Sequence, residues 1–136
     1  DQIKSDLARA RASAMAPAET RWANRGELER AVTRLLADGR ARTAADLLES
    51  AYKPGERTWD QADRLATLRL HLGRPDLARE VWRAAMNPPR PALRDARIAA
   101  TYLVEGDFDA ARRAYASAIA AEPELFEAHY GLAQIP

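Results

Sequence analysis

Small and large apolar positions alternate along this chain at helical spacing, and the alternation recurs. Ala44, Ala78 and Ala111 are each followed four residues later by a large side chain, Leu48, Trp82 and Tyr115, and seven residues later by a second alanine, Ala51, Ala85 and Ala118. Residues at these separations share one face of an α-helix, so each stretch carries a bulky knob between two small holes and is suited to close helix packing. Gly39, Gly73 and Gly106 precede these stretches. Each ends an apolar-periodic run, where a left-handed residue terminates a helix at little steric cost. All the columns keep step at a spacing of 34 and then 33 residues. A unit of that size cannot bury its own apolar face, so neighbouring units must close the core for one another. The expected product is an elongated stack of helices with a long concave surface.

The pattern predicts helices over roughly 3–15, 25–38, 43–53, 59–72, 76–86, 92–105, 108–121 and 124–135. Local signals support the boundaries. Thr58 and Gln61 have the spacing of a capping box, Pro75 stands at a helix start just before Asp76, and Asp107 can cap the helix after Gly106. At the N-terminus, Ile3, Leu7, Ala10 and Ala14 form an apolar stripe that is off the repeat register, with Pro17 separating it from the later helices. The chain therefore divides into an N-terminal helix and linker over 1–24 and a repeat region over 25–136. The repeat region has units at roughly 25–58, 59–91 and 92–125 and a partial fourth at 126–136. The first repeat helix is expected to begin close to Gly26.

The small-x3-large step closed by a late proline is similar to the tetratricopeptide repeat. Ala44 to Leu48, Ala78 to Trp82 and Ala111 to Tyr115 carry the step, and Pro54, Pro88 and Pro123 close the units. The third unit resembles the family most fully, through Ile98, Ala99, Tyr102, Gly106, Ala111, Tyr115, Ala118 and Pro123. Ala128-His129-Tyr130-Gly131-Leu132-Ala133 looks like the opening helix of a further unit. Arg69 stands where the family pattern has a tyrosine. The resemblance implies an all-α, right-handed α-solenoid of antiparallel helix pairs, with about three repeats plus flanking helices.

Composition changes this picture little. The chain has 136 residues, 47% of them hydrophobic, with a net charge of +1. A dedicated polyanion binder carries a marked positive excess, so a nucleic-acid partner is not expected. Arginine outnumbers lysine 19 to 2, a skew that suggests a GC-rich genome and a bacterial parent protein. Cysteine is absent, which removes disulfides and thiol chemistry, and no apolar stretch approaches 18 residues, so no membrane contact is expected. The compartment stays open. The chain reads as a fragment of a longer protein.

Catalysis finds no support in the residues. There are two histidines, His71 and His129, in different units and without a metal-ligand pattern, and the six glycines form no phosphate-binding loop. The carboxylate pairs Asp60/Asp63 and Asp107/Asp109 read as helix-start charges favourable to the helix dipole. Trp82 reads as core, Trp22 and Trp59 as packing residues, and Asn87-Pro88-Pro89-Arg90-Pro91 as an inter-repeat turn. No enzyme, cofactor or metal is expected.

What remains is a binding surface. By the resemblance, the first helix of each pair lines the groove, which places Glu29, Arg30, Thr33 and Ala37 there in the first unit. In the second unit it places Asp60, Asp63, Arg64, Thr67 and His71, and in the third Leu93, Ala96, Arg97, Ala100 and Val104. Glu127, Tyr130 and Gln134 occupy these positions in the partial fourth. Arg30, Arg64 and Arg97 share one register and would suit carboxylates or phosphates. Arg64 has Asp60 and Arg30 has Glu27 within a helical turn, whereas Arg97 has no acidic neighbour at that distance, which makes it the leading ligand contact. The family arrangement that clamps C-terminal carboxylates uses lysine and asparagine where this chain has Glu29 and Thr33, so that ligand is not expected. The expected function is a scaffold that binds a protein or peptide partner in a concave groove. The alternatives are an accessory domain that positions substrate for a larger enzyme, or a polyanion-binding solenoid. Leu132 and Ile135 are expected to be uncovered on one side, which would allow self-association through the 124–135 helix.

Overall fold

The computed structural model describes residues 2–14, 25–85 and 88–136. Among these residues the protein is all-helical. The helices are α1 (Gln2–Ala14), α2 (Arg25–Ala37), α3 (Ala41–Ala51), α4 (Trp59–His71), α5 (Pro75–Ala84), α6 (Pro91–Glu105), α7 (Phe108–Ala121) and α8 (Phe126–Ala133), with a short 3-10 turn at Pro54–Glu56. The chain forms two compact units, Asp1–Glu56 and Arg57–Pro136. Pro17, Trp22 and Asn87 lie outside the described residues.

Three helix junctions share one backbone design. Gly39, Gly73 and Gly106 have φ of 75°, 79° and 81°, the left-handed region in which glycine carries no Cβ penalty. Around each glycine the next amide reaches back five residues. Arg40 N donates to Leu35 O at 2.8 Å, Arg74 N to Arg69 O at 2.9 Å, and Asp107 N to Tyr102 O at 2.9 Å. This is the Schellman arrangement, which satisfies carbonyls that a helix end leaves open. The following helix begins almost at once, so α3 starts at Ala41 and α5 at Pro75, slightly ahead of the expected positions. Pro75 occupies the first turn of α5, Ala110 N donates to the Asp107 carboxylate at 3.2 Å, and both bonds of the Thr58–Gln61 capping box are present.

In the first unit α1 packs on α2 and α3, and α2 on α3. The buried residues include Val32, Leu35, Ala44, Leu47, Leu48 and Ala51. Ile3 and Leu7 of the N-terminal stripe are half-buried, and Arg34 of α2 forms an ion pair with Asp6 of α1.

In the second unit α4 packs on α5, α5 on α6, α6 on α7, and α8 on both α6 and α7. The repeating columns are its core: Ala78, Trp82, Ala85, Ala111, Tyr115 and Ala118 are all buried. Tyr115 reaches so close to α8 that a Cβ on Gly131 would lie 2.1 Å from its Cζ, which explains a glycine inside that helix. Arg69, at the position where the resemblance expects tyrosine, is buried as well, its long stem taking the place of a ring.

Candidate functional site

The residues expected to bind a ligand fall on four helices. On α2, Glu29, Arg30, Thr33, Arg34 and Ala37 line a concavity of about 500 Å³. The volume lies within the range of small-ligand and peptide-side-chain pockets, roughly 300–1,000 Å³. Glu29 is half-buried, and Arg30, Thr33 and Ala37 are exposed. This face belongs to the first unit.

The remaining candidates lie on α4, α6 and α8 of the second unit. Asp60 and His71 are exposed at the two ends of α4, with Asp63, Arg64 and Thr67 half-buried between them. On α6, Leu93, Arg97 and Ala100 are half-buried and Val104 is exposed, whereas Ala96 is buried in the core and lines no surface. On α8, Glu127 is half-buried, and Tyr130 and Gln134 are exposed.

One contact ties α4 to α6 across this surface. Arg97 Nε donates to Asp63 Oδ1 at 3.2 Å, and the indole Nε1 of buried Trp82 donates to the same oxygen at 2.8 Å. The leading cationic candidate is therefore already paired, with a carboxylate 34 residues away that no helical-neighbour rule could find. The carboxylate at Asp63 works structurally here. It accepts the indole proton of a core residue and holds the next helix in register. Asp60 stands in the first turn of α4 and Asp109 in the first turn of α7, the helix-start positions that favour a negative charge.

The contact between α5 and α6 is electrostatic too. The Arg79 guanidinium lies over the Tyr102 ring, 4.2 Å from its centroid, donates to Thr101 Oγ1 at 3.0 Å and pairs with Glu105. Its hydrogen bond to Glu105, ahead of the loss of hydration on burial, holds the Arg79 pKa above its ordinary value. Arg90 is raised in the same sense, first by its hydrogen bond to Glu122 and then by that carboxylate's charge, with a further contribution from Glu127. His129 Nε2 lies 2.7 Å from the Pro123 carbonyl oxygen, which ties its ring to the turn before α8.

Phe126 is a surface residue that sequence reasoning did not single out. Its ring stacks with that of Tyr130 at a centroid separation of 5.6 Å, and the two side chains are 68% and 57% exposed. One repeat earlier the same positions hold Ala92 and Ala96, both buried. A comparison of repeat columns could have found the pair, because large aromatics there replace small core residues. Leu132 and Ile135, expected to be uncovered, are instead half-buried and pack on the cluster around Tyr115 and Leu125. They turn inward because α8 stops at Ala133 and the chain after it folds back on the core.

Among the described residues no group of His, Cys, Asp and Glu side chains could hold a metal ion, and no helix is long and apolar enough to cross a membrane. Neither a family model nor a curated protein matches this chain in sequence.

Proposed function

We propose that residues 57–136 are a tetratricopeptide-like module, built of antiparallel helix pairs stacked as in a right-handed solenoid, that binds an extended or helical peptide along the surface of α4, α6 and α8. The observation that carries this reading is the coincidence of sequence period and backbone. Three glycines in the left-handed region, three matching Schellman turns and buried small and large columns recur at a spacing of 34 and 33 residues. Modules of this kind stack their helices so that one set of faces stays open, and open faces of mixed polarity are where extended peptides and amphipathic helices dock. Thr67, His71, Ala100, Val104 and Tyr130 supply such a face, polar on α4 and more apolar on α6 and α8. The α2 face, with Glu29, Arg30 and Thr33 around its concavity, belongs to the same class of surface in the first unit.

The test is a selection of peptides from a random display library against the immobilised full chain. Selected peptides should lose at least about tenfold in affinity, some 1.4 kcal/mol, when Ala100→Arg blocks the α6 face. They should bind unchanged to Arg113→Ala, on the exposed side of α7. Selection of no peptide above background, or equal losses in both variants, contradicts the reading.

A further inference from the structure

We infer that α8 docks a basic segment of a partner polypeptide, with an arginine side chain lying on the Phe126–Tyr130 stack and its charge met by Glu127. The inference rests on the peptide-binding reading only in sharing Tyr130 with that surface, and it names the chemistry of the partner.

Two large rings that are 68% and 57% exposed on one helix present a flat apolar face, left open by the described residues of the unit. Its occurrence is specific to α8, since Ala92 and Ala96 fill the equivalent positions on α6 and are buried. On the helix surface the neighbours of Tyr130 at three and four positions are Phe126, Glu127, Ala133 and Gln134. A carboxylate therefore borders the stack.

The charge around it is negative. Glu122, Glu124 and Glu127 lie within one turn of the start of α8, against Arg90, which is already hydrogen-bonded to Glu122. That pairing leaves the charge of Glu124 and Glu127 unbalanced at the edge of the aromatic face. A cation completes both halves of the surface at once, through the negative faces of the rings and through the carboxylates. Arginine suits it better than lysine, because a planar guanidinium stacks on an aromatic ring while donating from its edge to a carboxylate. The protein uses this combination internally, where Arg79 lies over Tyr102 and pairs with Glu105. An acidic partner is disfavoured here, and the cation that would have favoured one, Arg97, is occupied by Asp63.

The experiment measures fluorescence anisotropy of blocked, labelled hexapeptides with the full chain. One alternates arginine with leucine, one lysine with leucine and one glutamate with leucine. The arginine peptide should bind more tightly than the lysine peptide, and the glutamate peptide should not bind. Phe126→Ala and Tyr130→Ala should each weaken the arginine peptide about three- to fivefold. Glu127→Gln should weaken it and flatten its salt dependence. Circular dichroism melting should be unchanged in the two aromatic variants, whose side chains are mostly exposed. Binding of the glutamate peptide as tightly as the arginine peptide overturns the inference, as does indifference to all three substitutions. So does a wild-type dimer in sedimentation that becomes monomeric on Phe126→Ala, because the stack would then be covered by a second copy. Library peptides that depend on Ala100 but not on Phe126, together with no binding of the arginine peptide, would overturn this inference alone. Arginine-peptide binding without any library-selected peptide would overturn only the broader reading.

Discussion

Asp63 and Arg97 stand one repeat apart in sequence and meet across two helices, with Arg97 Nε 3.2 Å from Asp63 Oδ1. The same carboxylate oxygen accepts the Trp82 indole proton at 2.8 Å, so one acid ties together α4, α5 and α6. Its two bonds differ in worth. Trp82 is 1% exposed, and removing its acceptor strands a buried donor, whereas Arg97 retains access to water. Asp63→Ala should therefore destabilise the protein by about 1–3 kcal/mol, and Arg97→Ala by less than about 1 kcal/mol. Urea denaturation of the two variants measures the difference, and equal losses would mean that the indole bond contributes nothing.

Gly131 sets a second expectation, in which two effects oppose. Alanine within a helix is favoured over glycine by about 1 kcal/mol. Against that, a Cβ at this position would sit 2.1 Å from Cζ and 2.4 Å from Cε1 of Tyr115, a ring buried in the core. Overpacking of this kind costs about 1–3 kcal/mol, and the clash is with the ring body, which cannot swing aside as a flexible chain end could. Gly131→Ala should lower the melting temperature, and Tyr115→Leu in the same chain should recover part of the loss. A more stable Gly131→Ala variant would show that α8 is free to move away from Tyr115.

Much of the helical layout is legible in the sequence because its signals are local. Glycine ends a helix through its own φ, and an alanine four residues from a large side chain lies on the same face whatever surrounds it. Thr58, Pro75 and Asp107 act within one turn and stand where their residue types place them. The site is harder to read because its decisive contacts are long-range. Arg97 looks unpaired in sequence only because its partner lies a full repeat away. Ala96 has the register of a groove-lining residue, but it is small enough for its neighbours to close over it. Leu132, Ile135 and Phe126 defeat sequence reasoning for one reason: which side of α8 faces the core depends on the packing of Tyr115 and Leu125, which no pattern within the helix reports.

Tyr115 gives the protein a pH dependence with a definite sign. Burial pushes its phenol above the ordinary value of 10.0, because the charged form loses its hydration. Between that value and the raised one, the folded state holds a proton that the unfolded state has released. Stability is therefore full below pH 10.0 and is lost as pH rises through the folded pKa. Melting temperatures followed upward from pH 9 should fall more steeply for the wild type than for Tyr115→Phe, which lacks the ionising group. Parallel profiles would mean that the phenol remains hydrated in the folded protein.

Peptide binding along the open surface of α4, α6 and α8 is the property on which the proposed function depends. It is tested by recording backbone amide shifts of the labelled full chain as a library-selected peptide is added. Saturable shifts are expected, concentrated at Thr67, His71, Ala100, Val104 and Tyr130, with Ala78, Trp82 and the exposed side of α7 unmoved. Shifts confined to α5 and α7, or spread evenly without saturation, would mean that this surface is not where a peptide binds.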